Sequence, residues 1–248
     1  MAFLDVAGVL EQLKSTEIAG EVYSSLIVIA IIILFSIYIG IRAHFQDPLK
    51  KPKGALLVTE MGVTFFENMS EGLLGKNFRS FGGYIMIVAV YLFSAFIFGL
   101  TGLPSPITYM AIPLSVAMTT FILIHATAVR FNKFRYFKRY IDPFPVFLPV
   151  NLISMWAPLL SMTLRLFGNA LSGFVIMSII YFGLQKLSAL IFASLVAAPW
   201  NEVFIAPFIT WIFHLYFDLW SGFIQTTVFI SLTMIYVGQE APEDYLGQ

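Results

Sequence analysis

Long apolar runs separated by short polar stretches dominate the pattern of this chain of 248 residues. A helix needs about 20 apolar residues to cross the hydrocarbon core of a bilayer. Three runs suit simple spans, and they lie at residues 23–41, 84–100 and 114–129. Arg42 ends the first run, and the glycines and prolines of residues 101–113 separate the second from the third. The pattern therefore predicts three membrane-crossing helices in the first half of the chain.

Two further apolar segments are too long to be upright spans. They cover residues 146–182 and 200–237, roughly 37 residues each. As helices they would be about 55 Å long, against a hydrocarbon core of about 30 Å. We therefore expect them to tilt steeply, to kink at Pro149 or Pro158, or to run partly along a protein surface. The apolar stretch 187–198 between them is either part of a helix or a separate short or re-entrant span.

Residues 54–75 have a different pattern, in which apolar residues recur every three or four positions between Glu60, Glu67 and Glu71. This spacing predicts an amphipathic helix near the membrane surface. The predicted fold is thus an all-α integral membrane protein with five membrane-crossing helices and one amphipathic surface helix. We expect one membrane domain over 1–248, divided into an outer N-terminal segment 1–22, a first span 23–41, the amphipathic helix 54–75, the second and third spans 84–130, a long helix pair 146–237 and a tail 238–248.

The composition supports a membrane protein and excludes several other classes. Hydrophobic residues make up 59% of the chain and charged residues 11%, whereas soluble domains have about 45–50% and about 25%. The 14 Lys and Arg balance the 14 Asp and Glu, so no net positive field attracts nucleic acid. The chain has no Cys and no phosphate-binding glycine loop, hydrolase motif or metal-ligand cluster. We therefore expect no catalytic residue, cofactor or metal.

Lys and Arg in short loops predict the orientation, because cytoplasmic loops carry an excess of them. Eleven of them lie in residues 42–53, 76–79 and 130–139, which share one side if the spans alternate. The other side carries only Lys14 and Lys186. This bias predicts an N-terminus outside and a C-terminus in the cytoplasm. The first 20 residues do not resemble a secretory signal or a transit peptide, which favours a bacterial plasma membrane, with an organelle inner membrane as the alternative.

Arg165 and Asp218 are charged residues inside the long apolar segments. A charge at mid-membrane costs at least about 2.5–3.5 kcal/mol, so such residues are usually paired, face water or have a function. Arginine stays protonated in proteins, so Arg165 can act as a fixed positive charge or a carboxylate partner but not as a proton carrier. The small residues that follow it allow another helix to approach closely, and Asn169 lies on the same helix face.

Asp218 belongs to a polar face of the last apolar segment. The same face carries an imidazole, a hydroxyl and an amide, at His214, Ser221 and Gln225. Aspartate and histidine can both exchange protons, so this face predicts a polar track through an apolar helix. Glu202, at the outward end of the segment, is either the mouth of a channel or a solvated interfacial acid. His125, on the third span, is interpreted as structural.

The segment around Arg165 resembles a known family. Residues 164–169 read Leu-Arg-Leu-Phe-Gly-Asn and are followed by Gly173, which is similar to the signature of the a subunit of F-type ATP synthases. Lys-Pro-Lys-Gly at 51–54 with Glu60 resembles the family's cytoplasmic loop and amphipathic helix. Residues 102–108 resemble its outer loop and residues 223–236 its final helix, so the resemblance covers roughly residues 45–238.

The resemblance implies that the chain is the stator half of an ion-translocating membrane sector. Its partners would be a rotating ring of c subunits and a b-subunit peripheral stalk. H⁺ or Na⁺ would enter one half-channel, load a carboxylate of the ring and leave through a second half-channel, which couples ion flow to ATP synthesis. Arg165 matches the family's essential arginine, Asn169 and Gln225 match polar positions near it, and Asp218 matches a titratable position. The long helix pair would form a tilted hairpin against the ring. The chain itself would bind no nucleotide and catalyse no reaction.

The chain departs from common members at three places. Phe174 stands where many members have Glu or His; the outer loop lacks an Asn before Gly102; and acids are absent at Asn151, Ser154 and Met155. These departures leave Asp218 with His214 as the main titratable candidates. Two other functions are considered, a stand-alone ion or solute transporter with Arg165 as its anion site, and a scaffold with a structural Arg165–Asp218 pair. The absence of an internal repeat disfavours an inverted-repeat transporter.

Overall fold

The computed structural model describes residues 19–47, 50–133, 136, 144–192 and 203–242. Within them it gives the bounds of six α-helices and contains no strand, which confirms the all-α class. The helices are α1 (Gly20–His44), α2 (Ala55–Leu74), α3 (Gly82–Ile97), α4 (Ala111–Asn132), α5 (Leu148–Phe192) and α6 (Ala206–Gln239). Short 3₁₀ segments lie at Lys76–Phe81, Phe98–Thr101, Pro106–Thr108 and Pro145–Phe147.

Five of these helices are long and apolar enough to cross a membrane, namely α1, α3 with its flanking 3₁₀ segments, α4, α5 and α6. The protein is therefore a multi-pass membrane protein, as the apolar runs predict. The remaining helix, α2, packs across the start of α3. The Ser70 hydroxyl donates a hydrogen bond of 2.7 Å to the Phe78 carbonyl, and Arg79 forms an ion pair of 3.1 Å with Glu67. A Cβ on Gly82 would lie 2.6 Å from the Glu67 backbone, so the two helices are in direct backbone contact there.

The helix α5 is continuous over 45 residues, which is about 67 Å at 1.5 Å per residue. Pro149 lies in its first turn, where proline is tolerated, and Pro158 lies in its interior. Residues 187–192 continue this helix, so that part of the 187–198 stretch is not a separate span. Residues 193–198 lie outside the described residues. The helix α6 has 34 residues, and both long helices therefore exceed an upright span, as predicted.

The helix α6 begins later than its apolar pattern suggests and is not uniformly α-helical. Its start at Ala206 is followed by Pro207, which favours the first turn of a helix because its φ is already helical and its missing N–H is not needed there. Residues Leu215–Trp220 form a π-helical segment within it, which the sequence analysis did not predict.

Buried side chains from α3, α4, α5 and α6 form the core, and α2 adds Leu74 to it. The largest contributions include Leu92, Met162, Leu166 and Phe229. The helices α3 and α6 are in close contact at Gly222, where an added Cβ would lie 2.6 Å from Cβ of Phe96. The helix α1 is attached to this bundle by a hydrogen bond of 2.8 Å between the hydroxyls of Ser25 and Tyr91. The core thus holds α5 and α6 side by side.

Candidate functional site: a polar face between the two long helices

One face of α5 carries the conspicuous residues of the sequence at intervals of four. Arg165, Asn169 and Gly173 are neighbours because they are four residues apart, and Tyr181, eight residues after Gly173, continues the same row as it winds round the helix. The facing helix α6 runs in the opposite direction. Asn169 meets Ser221, Gly173 meets Phe217, and Tyr181 meets His214. The two polar faces predicted from the sequence therefore face each other.

Arg165 has an incomplete set of hydrogen bonds. Its Nη2 donates to the Ser161 hydroxyl over 3.2 Å, whereas its Nη1 is buried and has no hydrogen-bond partner. The amide oxygen of Gln225 is likewise buried without a partner. A buried polar group left unsatisfied costs about 1–3 kcal/mol, and more if it is charged. Each of the two atoms is therefore available to a further hydrogen-bond partner.

The structural Arg165–Asp218 pair considered above is absent from the described part of the chain, where Asp218 instead pairs with His214. Nδ1 of His214 lies 2.6 Å from Oδ2 of Asp218, one helical turn further along α6. Their side chains are 28% and 24% exposed, so neither is fully buried.

Asp218 lies in the π-helical segment of α6, and its free carboxylate oxygen is directed at the segment that joins α3 and α4. Oδ1 lies 3.6 Å from the position that a Cβ on Gly99 would take. Single turns of π-helix occur frequently at functional sites. The widened turn is therefore a second, independent indication that the surroundings of Asp218 are functional.

Tyr181 is a member of this site that the sequence analysis missed. Its hydroxyl lies 2.8 Å from Nε2 of His214, so the imidazole is held from both sides. A tyrosine in an apolar helix has no charge to mark it. Tyr181 follows Arg165 by sixteen residues, which places it about 160° round a regular helix from Arg165, so helical spacing gave no signal for it.

An open cavity of about 590 Å³ leads to this site, and we name it the loop-side cavity because the 99–108 segment forms one of its walls. Its polar lining includes Glu21, Asn169, Tyr181, His214 and Asp218. The carboxylate of Glu21 belongs to α1, which the sequence analysis left without a functional residue. The cavity gives water a route to the His214–Asp218 pair.

A second open cavity, of about 420 Å³, lies at the other end of α6, and we name it the C-terminal-side cavity. Its lining includes His125, Asn151, Ser154, Tyr236 and Glu240. The N-terminal part of α5 that lines it precedes Arg165, whereas the part that lines the loop-side cavity follows Arg165. His125 bonds through Nδ1 to the Phe121 carbonyl at 2.9 Å, which agrees with a structural role, but its ring also borders this cavity.

The remaining predicted site residue, Glu202, lies outside the described residues. Among the described residues no group of three or more His, Asp or Glu side chains could hold a metal ion.

Two open cavities on either side of Arg165, in helices long and apolar enough to cross a membrane, are the arrangement expected of an ion-translocating membrane protein. Comparison with known proteins specifies the class further, because the family described as ATP synthase A chain matches residues 22–238. The chain belongs to this family. It is therefore the ion-channel subunit of the stator of an F-type ATP synthase and a component of the ATPase complex. The stand-alone transporter is not favoured.

Several curated relatives support this assignment. ATP synthase subunit a of Mycoplasma genitalium is 28% identical over 230 residues, which are 87% of this chain and 77% of the relative. ATP synthase subunit a of Limosilactobacillus reuteri is 29% identical over 241 residues, 90% of this chain and 92% of the relative. A protein of Propionigenium modestum named as sodium ion specific is 35% identical over 130 residues, 52% of this chain and 38% of the relative.

Proposed function

We propose that this subunit supplies two half-channels, one from each cavity, that pass H⁺ or Na⁺ to and from the carboxylates of a rotating ring of c subunits. A b-subunit peripheral stalk holds it as the stator, and the other ATP synthase subunits carry the nucleotide chemistry. The chain itself is not catalytic. The observation that carries the proposal is the position of Arg165 between two cavities that open at opposite ends of the helix pair.

The exposed apolar surface of α5 supports a lateral partner such as the ring. In the most apolar part of α5 only 11% of the residues are buried, against 22–39% in the other four spanning helices. Leu164, Leu171 and Phe174 are among the exposed side chains close to Arg165. A helix of 45 residues that buries so little within its own chain provides a long surface for another chain.

The unpaired Nη1 of Arg165 supports a role opposite a ring carboxylate. An opposite charge within about 4–6 Å lowers the pKa of a carboxyl group, typically by 1–3 units. Each ring carboxylate that passes Arg165 is therefore favoured in its ionised form and releases its ion. The same fixed positive charge repels a cation that would pass directly between the cavities, which prevents a leak.

The polar residues around Arg165 divide between the two ion paths. Asp218 and His214 form the titratable part of the path from the loop-side cavity, with Glu202 nearer its mouth. Asn169, one turn after Arg165 on α5, and Gln225, one turn after Ser221 on α6, supply polar atoms where the ion passes to or from the ring. The C-terminal-side cavity supplies the second path, through a wall in which Asn151 replaces the acid of common family members.

The loop charges support an orientation in which the loop-side cavity opens outside and the C-terminal-side cavity opens to the cytoplasm. Three cationic residues lie at helix ends on the cytoplasmic side of this arrangement: Arg42 near the end of α1, Lys76 at the start of the segment before α3, and Arg130 near the end of α4. We therefore assign the N-terminus to the outside and the C-terminus to the cytoplasm of a bacterial plasma membrane.

ATP-driven ion uptake into inverted vesicles tests this function, with Arg165→Ala compared with wild type. Arg130→Ala is the matched control, since Arg130 is exposed at the end of α4. Co-purification with the ring, stalk and ATPase subunits reports assembly. We expect the Arg165 variant to assemble and to hydrolyse ATP without moving ions. Normal uptake by the assembled variant would show that Arg165 has only a structural role. If the wild-type chain co-purified with no ring, the stand-alone transporter would become the favoured function.

A further inference from the structure

We propose that Tyr181 is the first member of a direct proton relay, Tyr181–His214–Asp218, and that the path from the loop-side cavity consequently carries protons rather than sodium ions. This inference rests on the proposed function and specifies which ion the subunit carries.

The relay consists of two direct hydrogen bonds that cross from α5 to α6. The Tyr181 hydroxyl lies 2.8 Å from Nε2 of His214, and Nδ1 of His214 lies 2.6 Å from Oδ2 of Asp218. Both distances are those of ordinary hydrogen bonds and leave no room for an intervening water. All three residues line the loop-side cavity.

The exposure of the three side chains gives the relay a direction. Tyr181 is exposed and borders the cavity, whereas His214 and Asp218 are half-buried. Along α6, Asp218 is also the member nearest to Gln225 and thus to the level of Arg165. Protons from cavity water therefore reach the phenolic oxygen first and the carboxylate last.

Proton transfer along the relay balances without any co-reactant. With Asp218 ionised, Nδ1–H donates to the carboxylate and the phenol donates to Nε2, which is the tautomer that uses both hydrogen bonds. A hydronium ion in the cavity gives a proton to the phenolic oxygen, the phenol gives its own proton to Nε2, and the Nδ1 proton passes to Oδ2. Three bonds to hydrogen break and three form. Tyr181 and His214 end neutral, and Asp218 ends as a neutral acid that can pass its proton towards the ring.

The relay then needs only a tautomer change to accept another proton. After the transfer, the imidazole carries its proton on Nε2 and donates it to the phenolic oxygen. The first arrangement returns when Asp218 has passed its proton on and the imidazole proton moves from Nε2 back to Nδ1. Neutral imidazole can carry its proton on either nitrogen, which suits it to this exchange.

Sodium cannot follow this path, because the relay offers hydrogen bonds rather than a coordination shell. Hard cations bind through several oxygen ligands, supplied by carboxylates, carbonyls and water. Here one oxygen of Asp218 is engaged by an imidazole N–H, and the middle position of the relay is occupied by nitrogen atoms. The described residues also contain no cluster of acidic or imidazole side chains that could surround a cation.

Substitutions of Tyr181 separate proton transfer from mere orientation of the imidazole. Tyr181→Phe keeps the ring and removes the hydroxyl. Tyr181→Gln keeps a donor for Nε2 but does not exchange protons, and Tyr181→His keeps both properties. Tyr216→Phe is the matched control, since Tyr216 is exposed on α6 and its hydroxyl forms no hydrogen bond to any of the described residues.

ATP-driven proton uptake in sodium-free vesicles measures the effect, with ATP hydrolysis and subunit co-purification measured on the same preparations. We expect Tyr181→Phe and Tyr181→Gln to lower uptake about 10-fold or more, the scale of one lost proton-transfer group. We expect Tyr181→His to retain most of the uptake and the Tyr216 control to retain all of it. Wild-type vesicles should accumulate no radioactive sodium during ATP hydrolysis.

Three results would overturn the relay, and all leave the proposed function testable on its own. Full uptake by Tyr181→Phe would remove Tyr181 from the path, full uptake by Tyr181→Gln would make it an orienting residue, and sodium accumulation by wild type would reject the proton assignment. The Arg165→Ala variant in the same vesicles distinguishes the two proposals. If that variant is blocked while Tyr181→Phe pumps, only the relay fails.

Discussion

The amide of Asn169 on α5 donates a hydrogen bond of 2.6 Å to the hydroxyl of Ser221 on α6. This bond lies between the level of Arg165 and the level of Asp218 on the two antiparallel helices. It therefore sets how far the fixed positive charge stands from the titratable pair along the helix axis. A change in this bond is expected to alter ion transfer before it alters the fold.

The Asn169–Ser221 bond can be tested by removing each partner separately and together. Ser221→Ala leaves the Asn169 amide without this acceptor, and a lost partner at a partly buried site costs about 1–3 kcal/mol. We expect each single variant to lower proton uptake several-fold and the double variant to be no worse than the more affected single variant. Ser172→Ala is the control, because its hydroxyl bonds only to the Asn169 carbonyl within α5. Additive losses in the double variant would show that the two residues act independently.

Substitution of Asp218 should affect transport far more than substitution of another aspartate. Asp218→Asn keeps a hydrogen-bond acceptor for His214 but removes the group that takes the proton, so we expect proton uptake to fall about 100-fold. Asp218→Glu restores a carboxyl group and should recover part of the activity. Asp47→Asn, at the exposed end of α1, provides the control. Uptake by Asp218→Asn at the wild-type rate would remove this residue from the ion path.

Gly222→Ala should destabilise the helix bundle, because the added Cβ would lie 2.6 Å from Cβ of Phe96. Two carbon atoms that are not bonded to each other cannot lie so close, so one of the two helices would have to shift. Overpacking of this kind typically costs about 1–3 kcal/mol. We expect a lower amount of the chain in membranes and a lower Tm of the purified complex. Gly183→Ala on α5 has nothing within 4 Å of the added methyl and should behave as wild type. Equal stability of the two variants would contradict the close contact of α3 and α6.

The absence of Cys makes the chain a ready background for single-cysteine labelling of the two cavities. Ser178→Cys lies in the loop-side cavity and Ser154→Cys in the C-terminal-side cavity. We expect a membrane-impermeant thiol reagent to label the first from outside and the second from the cytoplasm. Ser36→Cys, among the exposed apolar residues of α1, should resist the reagent from both sides. Labelling of both cavity positions from one side would reject the assigned arrangement of the half-channels.

The spans and the principal charges could be predicted from the sequence because each depends on composition along the chain. The apolar runs predicted five spanning helices, and Arg165 and Asp218 were recognisable as rare charges in apolar surroundings. The excess length of α5 was predictable in the same way, although its continuation from residue 187 to Phe192 was not, since Lys186 and Gln185 interrupt the apolar pattern.

The partners of the site residues could not be predicted, because they depend on which helix faces meet. The helical spacing placed His214 beside Asp218, but only the packing of α5 on α6 brings Tyr181 to the imidazole. His125 was interpreted from its own helix as structural, and its place in a cavity wall arises from α5 and the end of α6. Glu21 reaches the loop-side cavity for the same reason, through the position of α1.

The π-helical segment Leu215–Trp220 acts on α6 as a phase shift. A π turn holds about one residue more than an α turn, so it rotates everything on one side of it by about 100° relative to the other side. His214 and Ser221 lie on opposite sides of this segment, and both contact α5. If the segment became regular α-helix without a change in its length, His214 would turn by about 100° away from Tyr181. Deletion of one residue within the segment would instead remove the widened turn and keep the two flanks in phase. The widened turn, rather than the number of residues between His214 and Ser221, therefore fixes the direction in which the imidazole faces.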